Sequence, residues 1–146
     1  MYIASEHIQQ WVRTGKAKVV PLGIALQFGE YLNQFPWLPG GSGLDWSHMK
    51  GHRVTLSTLT KSQTSDSLRA TPLSRDPFLV FWYVADQPCI ACDTEFGISN
   101  IDQAFWKAPG KRYLFGASIR DGLVEPVMSH FAEYDGADTL IAAQQP

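Results

Sequence analysis

Cysteine is scarce in this chain: 146 residues contain two, Cys89 and Cys92. That number excludes the disulfide framework on which small secreted scaffolds depend. Charge is also sparse. Asp, Glu, Lys and Arg make up 18% of the residues, with twelve basic against fourteen acidic groups and a formal net charge of −2. An intrinsically disordered chain combines low hydrophobicity with high net charge, so that class is excluded. The longest basic run is the pair Lys111-Arg112, whereas a nucleic-acid-binding surface leaves a basic stripe. Long apolar stretches are missing too. The longest, residues 78–85, has the length of a strand and falls far short of the roughly 18 residues that a membrane helix needs. Glu6, His7, Gln9 and Gln10 interrupt the opening residues where a secretory leader would be continuously apolar. The expected location is therefore the cytoplasm, with neither nucleic acid nor membrane as partner.

Apolar mass, by contrast, is abundant. Hydrophobic residues are 45% of the chain, including five Trp, five Tyr and eight Phe, enough to build a core without metal or disulfide staples. The length suits a single domain over 1–146. Glu6 opens a helix behind Ser5 as its cap, with Ile8, Trp11 and Val12 on one face and Gly15 at its end. Residues 16–20 read as a short strand. A second helix follows Pro21, its apolar stripe made of Leu22, Ala25, Leu26, Gly29 and Leu32.

Residues 54–59 alternate in the manner of a strand, and residues 61–76 are polar, reading as a loop with at most a helical turn around 67–70. Residues 78–85 are apolar on both faces, which marks a central strand covered on each side. Residues 89–96 return as the second arm of a hairpin. A short helix capped by Ser99 or Asn100 carries Ile101, Ala104 and Phe105. Residues 111–118 and 127–134 are strands, although Val127, Met128, Phe131 and Tyr134 also share a helical face. Asp135-Gly136 is a hairpin turn signal. The tail from Ala142 should fray. The expected class is α+β: a mainly antiparallel sheet, two N-terminal helices and a short helix inserted between strands.

Between these elements lies a segment without periodicity, residues 35–51. Pro36, Pro39, Gly40, Gly41 and Gly43 exclude a regular element, yet Trp37, Leu38, Leu44 and Trp46 are too apolar for a solvated linker. Such a loop folds down onto its own domain or onto a partner. Trp37 and Trp46 belong to the residue types favoured as binding hot spots, and Asp45, His48 and His52 supply polar groups beside them. These five are the candidate binding residues.

Catalytic signatures are absent. Gly40-Gly41-Ser42-Gly43 lacks the Gly-Lys-Ser/Thr ending of a phosphate loop, and no Gly-x-Ser-x-Gly elbow occurs. His48-x3-His52 and Cys89-x2-Cys92 have the local spacings of a Cys2His2 zinc set in reversed order. Against this, residues three apart on a strand point to opposite faces. The stretch from Phe81 to Cys92 resembles the strand and cysteine motif of thioredoxins, but Asp86 stands where the attacking cysteine would be. The sequence therefore favours a non-catalytic protein-binding module without a cofactor. Bacterial immunity proteins and antitoxins, which neutralise a cognate toxin by binding it, are the type it fits, and an edge strand leaves room for a homo-oligomer. The alternative is a small enzyme or ligand-binding domain with a pocket under the 35–51 loop, with His48, His52, Cys89 and Cys92 as its zinc set.

Overall fold

A computed structural model describes residues 6–41, 43–55, 58–83, 89–101, 112–135 and 139–143. Among the described residues its frame is one antiparallel sheet of seven strands: β1 (Ala17–Val19), β2 (Gly51–Thr55), β3 (Phe78–Tyr83), β4 (Ile90–Asp93), β5 (Arg112–Arg120), β6 (Leu123–Tyr134) and β7 (Thr139–Ala143). Their order across the sheet is β1-β4-β3-β5-β6-β7-β2. Among the described residues four α-helices accompany it: α1 (Glu6–Arg13), α2 (Leu22–Leu32), α3 (Lys61–Arg69) and α4 (Thr94–Ser99). The class is α+β, as expected.

Strand alternation divides the apolar residues between two faces. Leu79 and Phe81 of β3, Cys92 of β4, Leu114 of β5 and Ala132 of β6 join Ile8 and Trp11 of α1, Leu68 of α3 and Ile98 of α4 in one core. Val80, Ala91, Tyr113, Phe115, Phe131 and Ile141 point the other way. There they meet Ala25, Phe28 and Leu32 of α2, with Leu44 and Trp46 from the loop. The central strand expected over 78–85 is β3, flanked by β4 and β5 and covered on both faces.

Several elements depart from the sequence reading. Helix α2 buries Ala25, Phe28 and Leu32, while Leu22 and Leu26 are 73% and 59% exposed. The stripe is thus rotated towards Phe28, the larger side chain. Strand β2 begins at Gly51, three residues before the expected start at 54. Residues 61–69 form a full helix, capped by a reciprocal box in which Thr60 Oγ1 accepts from Gln63 N and Gln63 Oε1 accepts from Thr60 N. Its buried side includes Thr64 and Ser65, whose hydroxyls donate to the carbonyls of Thr60 and Ile98. Helix α4, which the sequence reading did not anticipate, starts directly after β4 with Asp93 as its N-cap and Asn100 as its C-cap; the helix expected after Ser99 or Asn100 lies, beyond Ile101, outside the described residues. Residues 102–110, with Ala104 and Phe105, lie outside the described residues, as does Ser5. Residues 127–134 are strand and not helix. Ala142 and Ala143, expected to fray, pair with His52 and Gly51 and are buried.

β5 and β6 make the longest hairpin. Asp121 (φ 52°) and Gly122 (φ 80°) both take positive φ at its tip, the geometry of the two-residue turn that matches strand twist. The register breaks once: Phe115 pairs with Phe131, but Gly116 pairs with Val127. Residues 128–130 therefore bulge from β6. Among the paired residues, β3 reaches β5 only as far as Ala117, and β7 meets β6 only at Ala132, Glu133 and Tyr134. The distal part of the hairpin thus runs on as a two-stranded ribbon.

Across the bulge, His130 Nδ1 lies 2.7 Å from Asp76 Oδ2, both largely buried. Asp76 follows the 3-10 turn Pro72–Arg75 and lies directly over Gly116, where any Cβ would collide with its carboxylate. Gly116→Ala should lower stability by about 1–3 kcal/mol, measured by urea denaturation. Asp76→Ala should recover part of that loss if the collision is the cause.

Candidate functional site

The irregular segment after α2 is held by a small hairpin of its own. Trp37 and Leu44 bridge, Leu38 N donates to Gly43 O at 2.8 Å, and Asp45 N donates to Pro36 O at 2.8 Å. Gly40 takes the φ of 81° that closes its tip. Asp45 then caps the 3-10 turn Trp46–His48, accepting from Ser47 N at 3.0 Å and from Ser47 Oγ at 2.6 Å. Gly51 lets the chain enter β2 beneath Trp46, because a Cβ there would stand 2.9 Å from the indole Cε3 and collide with Ile141.

Glu133 anchors this loop to the sheet. It stands at the middle of β6's C-terminal half, opposite Tyr113 on β5 and Ile141 on β7, and is only 6% exposed. Its Oε2 accepts from Leu44 N at 2.9 Å and from Tyr113 Oη at 2.7 Å, and its Oε1 accepts from Trp46 Nε1 at 3.1 Å. Burial, followed by the hydrogen bond to this carboxylate and its charge, pushes the Tyr113 hydroxyl well above the ordinary tyrosine range. Around this network Phe131 gathers Trp46, Phe35, Tyr31 and Phe115, with ring centroids 5.5–5.9 Å away.

Between the loop and the β7–β2 side of the sheet lies an open cleft of about 400 Å³. Leu38, Leu44, Trp46 and Ile141 give it an apolar lining, and Asp45, Arg53, Glu133 and Asp135 bring charge to it. The carboxylates are engaged in structure: Glu133 and Asp45 as above, and Asp135 by accepting from Thr139 N at 3.1 Å where β6 turns towards β7.

Of the candidates from sequence, Asp45 and Trp46 line this cleft. Trp37 is half-buried, with Nε1 donating to Leu32 O at 3.2 Å and its ring against Tyr113 at 6.4 Å. Both tryptophans therefore seal the second core. His52 is exposed on β2, and the His48 side chain lies outside the described residues. Cys89 and Cys92 are buried on opposite faces. Strand β4 stands five positions from β2, roughly 24 Å at the usual strand spacing, so His52 and the cysteines do not meet. Among the described residues no cluster of three His, Cys, Asp or Glu side chains could hold a metal.

Sequence reasoning passed over Glu133, Tyr113 and Arg53. Glu133 is one of fourteen acidic residues, yet it sits two residues from Phe131, on the inward phase of an apolar strand. That phase is its only sequence signal. No protein-family model matches the chain, and no curated protein matches it. Among the described residues no helix is long and apolar enough to cross a membrane.

Two outcomes follow. Glu133→Gln puts an amide donor among three donors, and should cost about 3 kcal/mol with a red shift of tryptophan emission as the loop lifts. Burial raises the Cys92 thiol to about 12 from 9.0, with Asp93 adding to it. A thiol raised in the folded state stabilises below the unfolded value and loses that contribution as pH climbs from about 9 to 12. Native protein at pH 8 should leave Cys92 unlabelled by iodoacetamide, while urea-unfolded protein should label fully.

Proposed function

We propose that this chain is a non-catalytic protein-binding module of the immunity or antitoxin type, acting in the cytoplasm by covering a cognate toxin. The binding face is the 35–51 loop with the adjoining β2. It comprises Trp37, Asp45, Trp46, His48 and His52 of the sequence reading, extended to Arg53. The observation that carries the reading is the commitment of the cleft's carboxylates to internal hydrogen bonds. These groups hold the loop in one shape, which suits a preorganised recognition surface. The small, aromatic-rich and motif-free chain agrees with the immunity type.

A second reading, a small-molecule-binding domain, draws on the cleft itself, whose volume of about 400 Å³ lies within the usual range for ligand sites. One experiment separates the two. Untagged protein from its own host is examined by native mass spectrometry, and any copurified protein is expressed alone. A stoichiometric complex with a protein that arrests growth, relieved by coexpression of this chain, is the expected result. A monomer carrying a small molecule that is lost on Leu44→Trp, which fills the cleft, would overturn it.

A further inference from the structure

The cleft beside the 35–51 loop combines an apolar wall with an unbalanced charge. Leu38, Leu44, Trp46 and Ile141 form the wall. Asp45, Glu133 and Asp135 set three carboxylates against one guanidinium, that of Arg53. A carboxylate that accepts from a neutral donor keeps its charge, and the donors to Asp45 and Asp135 within their turns, Ser47 and Thr139, are neutral.

The imbalance bears most on Glu133. It is only 6% exposed, and Leu44 N, Tyr113 Oη and Trp46 Nε1 satisfy its hydrogen bonding without cancelling its charge. Among the described residues no ion pair reaches Glu133, and none reaches Arg53. A buried charge is ordinarily met by a counter-charge. Here the carboxylate instead lines an open cleft of about 400 Å³, a space large enough to admit a long side chain. Low-dielectric walls focus the field of such a charge into the cleft and concentrate cations there.

We infer that the cleft receives a long basic side chain, lysine or arginine, of the partner protein. The inference rests on the protein-binding reading above and specifies which chemistry of the partner enters the site. The cationic head is drawn towards Glu133, with Asp45 and Asp135 adding to the attraction. The methylene stem lies along Leu38, Trp46 and Ile141, as the stems of long basic side chains do on apolar surface. Arg53 opposes the entering charge, and the three carboxylates outweigh it.

The test uses the full-length protein and the capped tripeptide Gly-Arg-Gly, with a citrulline-for-arginine peptide as its neutral isostere. The Trp46 indole N–H and the amides of Leu38 and Thr139 should shift saturably with the arginine peptide at millimolar concentration and stay unmoved with the citrulline peptide. Asp135→Asn keeps an acceptor for Thr139 N while removing a charge, and should weaken the arginine peptide about threefold. Arg53→Gln, on an exposed side chain, removes the opposing charge and should strengthen the arginine peptide by a similar factor. Absence of shifts at these resonances, equal binding of the two peptides, or weaker binding by Arg53→Gln would each overturn the inference. A host partner whose affinity is unmoved by both variants would overturn the cleft's role while leaving the protein-binding reading intact. Arginine-peptide binding in a chain with no protein partner would overturn that reading instead, and would leave the cleft as a site for a small organic cation.

Discussion

Burying a carboxylate in the middle of a sheet costs several kcal/mol unless its lone pairs are met by donors. Glu133 meets that condition with one donor from the neighbouring strand and two from the loop: Tyr113 Oη, Leu44 N and Trp46 Nε1. The dependence runs in both directions. Without the loop, Glu133 keeps only Tyr113 as a donor. Without Glu133, Leu44 N and Trp46 Nε1 are buried donors lacking this acceptor. An irregular segment rich in proline and glycine thereby acquires a fixed position that its own backbone propensities would not give it.

The same constraint organises the aromatic residues. Because Trp46 is held by its nitrogen, its ring faces Phe131, and Phe131 in turn meets Phe35, Tyr31 and Phe115. Phe28 from α2 closes on Phe115 at 4.3 Å. The second face of the sheet is thus covered by a helix and a loop joined through one group of rings, whereas the first face is covered by α1, α3 and α4, with Trp11 of α1 packed against Phe81 and Phe96 among aliphatic side chains. Gly51 and Gly116 each mark a place where a covering group approaches the sheet too closely for a Cβ.

The elements legible in the sequence were those whose burial shows as apolar periodicity. β3 was readable because both its faces are apolar, and α1 because Ile8 and Trp11 repeat on one side. The helix α3 escaped because Thr64 and Ser65 bury by donating to carbonyls, so its inward face looks polar. Its capping box, Thr60 with Gln63, was present in the sequence and would have revealed its start. Asp121-Gly122 was likewise a turn signal as strong as Asp135-Gly136. The loop over 35–51 was recognisable as special from its two tryptophans. Its anchor was not, because Glu133 is more than 80 residues away from Leu44 and Trp46 and nothing local distinguishes it from a surface carboxylate. The distance between His52 and the cysteines depends on strand order, which local spacing does not encode.

The ribbon formed by the distal parts of β5 and β6 has a mechanical consequence. Beyond Ala117 on β5 and Ala132 on β6 the paired residues show no lateral support from β3 and β7, and two-stranded ribbons twist more freely than broad sheets. The bulge at residues 128–130 sits at its root, where His130 and Asp76 tie it to the turn at Pro72–Arg75. The hairpin is also held close to its tip, since Val124 is buried in the second core together with Ala117. Force applied at Leu123, which is 65% exposed, therefore passes both to that core and to the His130–Asp76 pair at the root.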